Sequence, residues 1–262
     1  MKKLILAILQ ISSITTFPVM FTASIQKSAP ISIFKKQKKE KLNSLSPEAQ
    51  AAFLYAFITN HNEPESLSFL NKYNLITGYP SPQTQRSPLH EALRKDQLYI
   101  VRSILCHPGN HIDAYDENGD TPLLWAAKYG TTIHLRLLFD HEANTRIVDS
   151  LQRIALHYIS IRPECTMLTA DFLKKDANTN KQDLYGRTPL HHAARSGSSE
   201  IVELMLKCSG DPFVLDMNNQ TPFDIACNRN RKVIANFIKS NIDKRTDDRF
   251  ETDSKEIFNF DN

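Results

Sequence analysis

A short phrase that returns five times at an almost constant interval constrains this chain more than any other feature. Counted between first residues, the intervals are 34, 33, 34 and 33 residues. Such self-similarity is typical of a stack of small supersecondary units, which bury one face against their neighbours and leave a long edge open for contact. The five copies are SPLHEA at 87–92, TPLLWA at 121–126, IALHYI at 154–159, TPLHHA at 188–193 and TPFDIA at 221–226.

The phrase has the composition of a helix start. Thr121, Thr188 and Thr221 can each cap the free N–H groups of a new helix. A proline follows each threonine at the first helical position, where a missing N–H costs nothing. Further along, we expect Gly130 and Gly197 to end this helix in the left-handed conformation. A second helix follows, with apolar residues at helical spacing.

These residues closely resemble the ankyrin repeat, whose signature is Thr-Pro-Leu-His-x-Ala at a period of about 33. Residues 183–212 follow the family pattern along the whole repeat, and Asp-x-x-Gly at 116–119 and 183–186 indicates a projecting tight turn. The resemblance spans residues 81–240 and implies an all-α fold, an ankyrin-type α-solenoid of helix–turn–helix repeats with projecting turns or β-hairpins. The five repeats start near 82, 116, 149, 183 and 216.

The third repeat departs most from the family pattern. It has Ile154-Ala155 in place of Thr-Pro, Pro163 where a glycine usually stands, and one added residue before Phe172. A proline at this point shortens or kinks a helix. We therefore expect the first helix of repeat three to be short and this repeat to open first.

The segments on either side of the repeats have different compositions. Residues 46–80 have a helix–break–helix rhythm without Thr-Pro, which predicts a degenerate pair of N-terminal capping helices. Residues 241–262 carry seven acidic and four basic side chains. Few of these residues can be buried, so the composition predicts a polar tail without regular structure.

The N-terminus resembles a targeting segment. Two lysines precede an apolar run, and small residues precede a possible cleavage after Ser24, which predicts a signal peptide at 1–24 and an exported, periplasmic or secreted protein. The following basic linker, 25–45, contains a lysine-rich stretch at 27–41, whose positive charge opposes translocation. Residues 4–21 could instead stay as a membrane anchor, and this segment is the one membrane contact that we expect.

Composition and motifs argue against several other functions. The net charge of +3 is too small to indicate a nucleic-acid-binding protein. We expect no disulfide among the four cysteines, no cofactor, and no metal site at Cys106, His107 and His111, because no second ligand group with zinc spacing follows. The chain has no nucleophile elbow, phosphate loop or zinc-protease motif. We therefore expect a monomeric protein that is not an enzyme.

The resemblance also implies which residues meet a partner. In the family, the position after the phrase histidine points into the concave groove, and here it carries Trp125 beside Tyr158 of the next repeat. Exposed aromatic pairs are typical of binding hot spots, although Trp125 could instead pack on Lys128 and Tyr158. The predicted partner-binding residues are Trp125, Tyr158, His192, Glu117, Asn118, Asp120, Arg153, Tyr185, Arg187 and Met217.

The sequence thus favours a non-catalytic module that binds a partner protein through the ankyrin groove. An alternative is an exported or envelope-anchored accessory factor that protects or regulates a single resident enzyme. A third hypothesis places catalytic residues in the flanks 25–80 or 241–262, which are too short for a catalytic domain.

Overall fold

Pairs of helices follow one another along the chain. The computed structural model describes residues 47–73, 80, 85–107, 109–175, 178–196 and 198–258, and within these residues it has no strand. The all-α prediction is therefore confirmed. The helices are α1 (Pro47–Asn60), α2 (Glu63–Tyr73), α3 (Pro88–Arg94), α4 (Leu98–Leu105), α5 (Pro122–Tyr129), α6 (Thr132–Asp140), α7 (Ala155–Ile159), α8 (Thr166–Lys174), α9 (Pro189–Ser196), α10 (Ser199–Lys207), α11 (Pro222–Asn228) and α12 (Lys232–Phe258).

The first helix of each repeat begins as the phrase predicts. The hydroxyl oxygens of Thr121 and Thr221 accept hydrogen bonds from the backbone N–H groups three residues later, and a proline occupies the first turn. Thr188 is fully buried, and its hydroxyl lies 2.8 Å from Nδ1 of His191. Repeat three has no side-chain cap, since Ile154 offers no acceptor.

Gly130 corrects one expectation. Its φ of −84° and ψ of −179° are extended backbone, so the predicted left-handed conformation is wrong. The position needs glycine for a different reason, because a Cβ there would lie 2.8 Å from the Cα of Ala126. Gly197 lies outside the described residues. At the corresponding positions of repeats one and five, Asp96 and Asn230 do adopt a left-handed φ of 55°.

The repeats pack through two rows of helices. The inner helices α3, α5, α7, α9 and α11 each contact the next, while α4 contacts α6, and α10 contacts both α8 and α12. The leucine of the phrase is buried in the inner row, as at Leu123, Leu156 and Leu190. Between the outer helices α6 and α8, the rings of Phe139 and Phe172 stack at 4.6 Å. Apolar burial between neighbours therefore holds successive repeats together.

The segment before the repeats continues both rows. Helix α1 contacts α3, and α2 contacts α4, so residues 47–73 cover the open face of repeat one. Leu54, Ile58 and Leu70 are buried there.

Repeat three has the short first helix that its sequence predicts. Helix α7 has five residues, and a 3-10 helix at Pro163–Cys165 precedes α8. Its core is nevertheless complete, because Ile154 and Ile159 are fully buried. The first helix of repeat three is therefore short although the isoleucines of its altered phrase are buried.

The C-terminal segment differs from its prediction. Helix α12 runs without interruption from Lys232 to Phe258, so residues 241–258 are helical rather than without regular structure. This stretch contains neither proline nor glycine to end the helix. In addition, the guanidinium of Arg245 donates to the carbonyl of Leu206 at 2.8 Å and ties α12 to α10.

No helix within the described ranges combines the length and apolar content that a membrane crossing needs. The predicted signal peptide or anchor at 1–24 and the basic linker at 25–45 lie outside those ranges.

Candidate partner-binding surface

Four aspartates build the turns that project from the repeats. One carboxylate oxygen of each aspartate accepts hydrogen bonds from the backbone N–H groups two and four residues later, at 2.8–3.0 Å. These bonds close the turn on a buried acceptor and fix its backbone. The four aspartates are Asp116, Asp149, Asp183 and Asp216.

The fourth residue of each turn is left-handed. Gly119 and Gly186 have φ values of 77° and 75°, and Gln152 and Asn219 hold φ values of 59° and 55° at the same place. Only glycine fits comfortably at 186, because a Cβ there would lie 3.1 Å from the backbone nitrogen of Met217. The turns of repeats four and five therefore approach each other closely at this position.

Backbone hydrogen bonds join the last three turns. The N–H of Leu184 donates to the carbonyl of Leu151 at 2.8 Å, and the N–H of Met217 donates to that of Tyr185 at 3.0 Å. The side chains at these turn tips remain exposed, by 49% for Leu184, 46% for Tyr185 and 71% for Met217. An apolar patch, which we call the turn-tip patch (Leu184, Tyr185 and Met217), is thus held on a fixed backbone.

Ion pairs run from repeats three and four to the turn of the next repeat. Nε of Arg153 lies 3.1 Å from Oδ2 of Asp183, and Nε of Arg187 lies 3.1 Å from Oδ2 of Asp216. Burial would raise the pKa of Asp183, but hydrogen bonds from His192, from the Arg187 N–H and from Arg153 outweigh it and hold that pKa well below its usual range. Asp183 is therefore charged in the folded protein.

The corresponding place in repeat two is occupied by an aspartate. Asp120 would face Asp149 with like charge, and Lys128 lies between them, with Nζ 2.6 Å from Asp120 and 2.9 Å from Asp149. Burial would lower the pKa of Lys128, but the two carboxylates raise it well above its usual value. The inward lysine therefore replaces the arginine contact of the other repeats.

Histidines of the phrase provide a second set of bonds between repeats. Nδ1 of each accepts the backbone N–H three residues earlier, so Nε2 carries the proton and donates to a carbonyl of the next repeat at 3.1–3.2 Å. Burial lowers the pKa of His90 and His157 to about 4 and also lowers that of His191. These histidines are neutral near pH 7. The acceptors are the carbonyls of Asp120, Arg187 and Gln220.

The two aromatic residues predicted as a hot spot lie on adjacent inner helices and are partly exposed. The ring of Trp125 packs against Tyr129 of its own helix at 5.6 Å. The hydroxyl of Tyr158 donates to Asp149, and its ring lies 5.3 Å from Nζ of Lys128. Among the described residues no ring contact joins Trp125 to Tyr158, and each ring contacts a different neighbour.

The structure corrects the expected exposure of two predicted site residues. Asp120 is 3% exposed and His192 is 8% exposed, because Asp120 pairs with Lys128 and Nε2 of His192 lies 3.0 Å from the Asp183 carboxylate. Both therefore contribute to the stack rather than to its surface. Glu91, which has the position of Trp125 in repeat one, is fully buried and paired with Arg94.

The other predicted residues reach solvent to different extents. Glu117 and Asn118 are exposed at the turn of repeat two, and Oε1 of Glu117 lies 3.0 Å from Nη2 of Arg86. Tyr185 and Met217 belong to the turn-tip patch. Arg153 and Arg187 are half-buried, with their guanidinium groups engaged in the ion pairs described above.

A cavity between α9 and α11 contains residues that sequence reasoning missed. It has a volume of about 160 Å³, and Arg195 and Arg229 stand at its exposed edge. Alignment of the repeats could have identified Arg195, because it lies seven residues after the phrase threonine, near the C-terminal end of the inner helix. Within the described ranges, no group of three or more histidine, cysteine, aspartate or glutamate residues could hold a metal ion.

Comparisons with known proteins agree with this architecture. A family model described as ankyrin repeats (3 copies) matches residues 89–167 and 164–248. Inversin of Canis lupus familiaris is 30% identical over 128 residues, which are 46% of this chain and 12% of inversin. A probable serine/threonine-protein kinase of Dictyostelium discoideum is 31% identical over 197 residues, which are 59% of this chain and 23% of the kinase.

The tyrosine-protein kinase Shark of Drosophila melanogaster is 26% identical over 151 residues, 57% of this chain and 16% of the kinase. The chain thus matches less than a quarter of the length of these relatives. The family match covers more than half of the chain and falls on the helix pairs and turns described above. This protein belongs to the ankyrin-repeat family.

Proposed function

We propose that this protein is a non-catalytic interaction module that binds a partner protein through its inner helices and turn tips. Ankyrin repeats indicate a protein–protein interaction module. The observation that carries the proposal is the turn-tip patch, in which Leu184, Tyr185 and Met217 are exposed although hydrogen bonds fix their backbone. Adjacent exposed apolar side chains on a rigid frame are characteristic of interaction sites.

We propose that the partner binds to a surface that is already rigid in the free protein. The turn aspartates, the arginine pairs and the phrase histidines hold each repeat to the next through buried polar bonds. A surface that is ordered before the partner arrives loses little conformational entropy on docking, so more of the contact energy appears as affinity.

Trp125 is the proposed anchor on the inner helices. It is the only tryptophan of the chain, and it is partly exposed beside Tyr129, on a helix that contacts the helix of Tyr158. Tryptophan and tyrosine are enriched among residues whose truncation costs most binding energy. We also retain Glu117 and Asn118 as rim residues, where charge mainly affects the association rate and its salt dependence.

The kinase relatives do not favour an enzyme. Their similarity to this chain covers 23% and 16% of their lengths. This partial similarity gives no reason to assign kinase activity to the protein. We propose a monomeric binding module without a cofactor.

We further propose that the protein is exported through its N-terminal segment and acts in the periplasm or after secretion. The support is the Lys2-Lys3 start, the apolar run and the small residues before Ser24. The alternative is an anchor formed by residues 4–21, which suits an accessory factor beside a resident enzyme of the envelope. Mass spectrometry of the protein from its native cells distinguishes the two: cleavage predicts a mature terminus near 25, and an intact Met1 supports the anchor.

Partner capture with a Trp125→Ala variant tests the main proposal. Partners retained by the natural protein from its native cells are identified, and the affinity of each for both proteins is then measured. We expect a loss of at least about 2 kcal/mol in binding, with little change in melting temperature. The matched control is Tyr99→Ala, which removes an aromatic that is 64% exposed on the outer helix α4. Undiminished binding by folded Trp125→Ala would contradict the proposed anchor.

A further inference from the structure

We infer that the partner presents an acidic segment, and that a glutamate of this segment binds between Arg195 and Arg229. This inference rests on the proposed function and names the chemistry of one part of the interface. The site is the cavity between the inner helices of repeats four and five. It is lined by Arg187, Arg195, Gln220, Ile225, Asn228 and Arg229.

The cations along the inner helices are not all available to a partner. In the first half of the stack, Nη2 of Arg94 lies 2.6 Å from Glu91, and Lys128 lies between Asp120 and Asp149. Carboxylates of the chain itself thus neutralise these cations.

At the cavity, two of the three arginines are not neutralised in this way. Arg187 is paired with Asp216, but Arg195 and Arg229 are exposed and form no ion pair with any carboxylate of the described residues. The cavity therefore carries two uncompensated positive charges on neighbouring repeats. A positive patch of this kind favours a partner surface of negative charge.

The lining favours a carboxylate on a short aliphatic chain. Ile225 supplies an apolar wall against which methylene groups can pack, and the side-chain amides of Gln220 and Asn228 are hydrogen-bond donors beside the two guanidinium groups. Guanidinium groups bind carboxylates through parallel N–H donors. A glutamate side chain matches this sequence of apolar wall and donors, and the cavity volume of about 160 Å³ is large enough for one such side chain.

Binding of defined peptides to the full-length protein tests the inference. Fluorescein-labelled octaglutamate is titrated with the protein and followed by fluorescence anisotropy, with octaglutamine and octalysine as reference probes. We expect saturable binding of octaglutamate alone, weakening as salt rises from about 20 mM to about 150 mM because exposed charges are screened. Failure of octaglutamate to bind, or equal binding of octaglutamine, would overturn the inference.

Two double variants with the same change in charge locate the site. Arg195→Gln with Arg229→Gln removes both cavity charges, whereas Arg102→Gln with Lys239→Gln removes two exposed charges from the outer helices α4 and α12. We expect the cavity variant to raise the Kd for octaglutamate about fivefold, in line with two solvent-accessible ion pairs. The control should change it by less than about twofold. If both double variants raised the Kd for octaglutamate equally, the peptide would be attracted by the overall positive charge, and the assignment to this cavity would be wrong.

A phosphoserine peptide tests whether the cavity prefers a phosphate group to a carboxylate. Tighter binding of that peptide than of octaglutamate at the cavity would overturn the assignment to a carboxylate. Failure of the inference is also distinguishable from failure of the proposed function. If Trp125→Ala loses the native partner while octaglutamate does not bind, the interaction module stands and the acidic segment does not.

Discussion

The guanidinium of Arg153 donates to the carboxylate of Asp183 at 3.1 Å and so joins repeat three to the turn of repeat four. The same carboxylate accepts the N–H groups of Tyr185 and Arg187, and Nε2 of His192 lies 3.0 Å from it. Asp183 therefore connects the turn of repeat four to repeat three and to helix α9 of its own repeat. It holds the turn that carries Leu184 and Tyr185, two of the three residues of the turn-tip patch.

Replacement of Arg153 by alanine should destabilise the fold. The Asp183 carboxylate is fully buried, so loss of a charged donor leaves part of its hydrogen-bonding capacity unused. We expect a loss of about 1–3 kcal/mol in the free energy of unfolding, measured by urea denaturation. Lys207→Ala is the control, because it breaks a surface pair with Glu203 and should cost less. Equal losses for the two variants would contradict the role given to Asp183.

Two substitutions in the phrase of repeat four should lower the stability of the fold by different amounts. Leu190 is fully buried in the inner row, so Leu190→Ala should cost about 2–5 kcal/mol of stability. Thr188→Ala removes a hydroxyl at the start of α9 and should cost about 1 kcal/mol. Thermal unfolding followed by circular dichroism compares them. The reverse order would mean that capping, rather than apolar burial, dominates this junction.

Gly186 and Gly119 form a matched pair. Both have a φ above 70°, but only at Gly186 does a Cβ meet a neighbouring turn, 3.1 Å from the nitrogen of Met217. Gly119→Ala should cost about 1–2 kcal/mol for the left-handed conformation alone. Gly186→Ala should cost more and also weaken partner binding, because it displaces Met217. Calorimetry of both variants measures the difference, and identical melting temperatures would refute the close approach.

Stability should fall between pH 6.5 and about pH 4. Burial lowers the pKa of His90 and His157 to about 4 in the folded protein, whereas the unfolded chain titrates near 6.5. Between these values the unfolded state binds more protons, so stability is complete above pH 6.5 and is lost as pH decreases through this window.

Urea midpoints at pH 7, 5.5 and 4.5 would measure this decrease. His90→Gln removes one of the titrating groups, so its midpoint should depend less on pH than that of the natural protein. An unchanged slope would show that His90 does not couple protonation to folding. The pKa of His191 and of His134 is also lowered by burial, so part of the slope should remain in the variant.

Repeat three should exchange its amide hydrogens first. Helix α7 has five residues and no side-chain cap, so amides in 154–170 should exchange before those in 188–206. Ala155→Pro should raise stability by about 0.4–1 kcal/mol, because Ile154 already has the extended backbone that precedes a proline. Equal protection of the two stretches in hydrogen-exchange mass spectrometry would contradict the first expectation, and a lower melting temperature for Ala155→Pro would contradict the second.

The periodic phrase was sufficient to predict the helix pairs, their order and the short first helix of repeat three. Capping by Thr121 and chain stiffness at Pro122 act within a few residues, so they are visible in the sequence. The backbone at Gly130 was not predictable in the same way. Its backbone is extended, and Ala126 leaves no room for a Cβ there, so glycine is needed for a reason other than a left-handed conformation.

The periodic phrase was enough to predict the family and the all-α stack of helix pairs. Which side chains of the inner helices and turns are exposed could be read only from the packing of the repeats. Asp120 and His192 are buried and paired with Lys128 and Asp183. Arg195 and Arg229 are exposed and form no ion pair within the described residues. Periodicity predicts the direction of a side chain, but burial and charge compensation depend on groups that only the packing of repeats brings together.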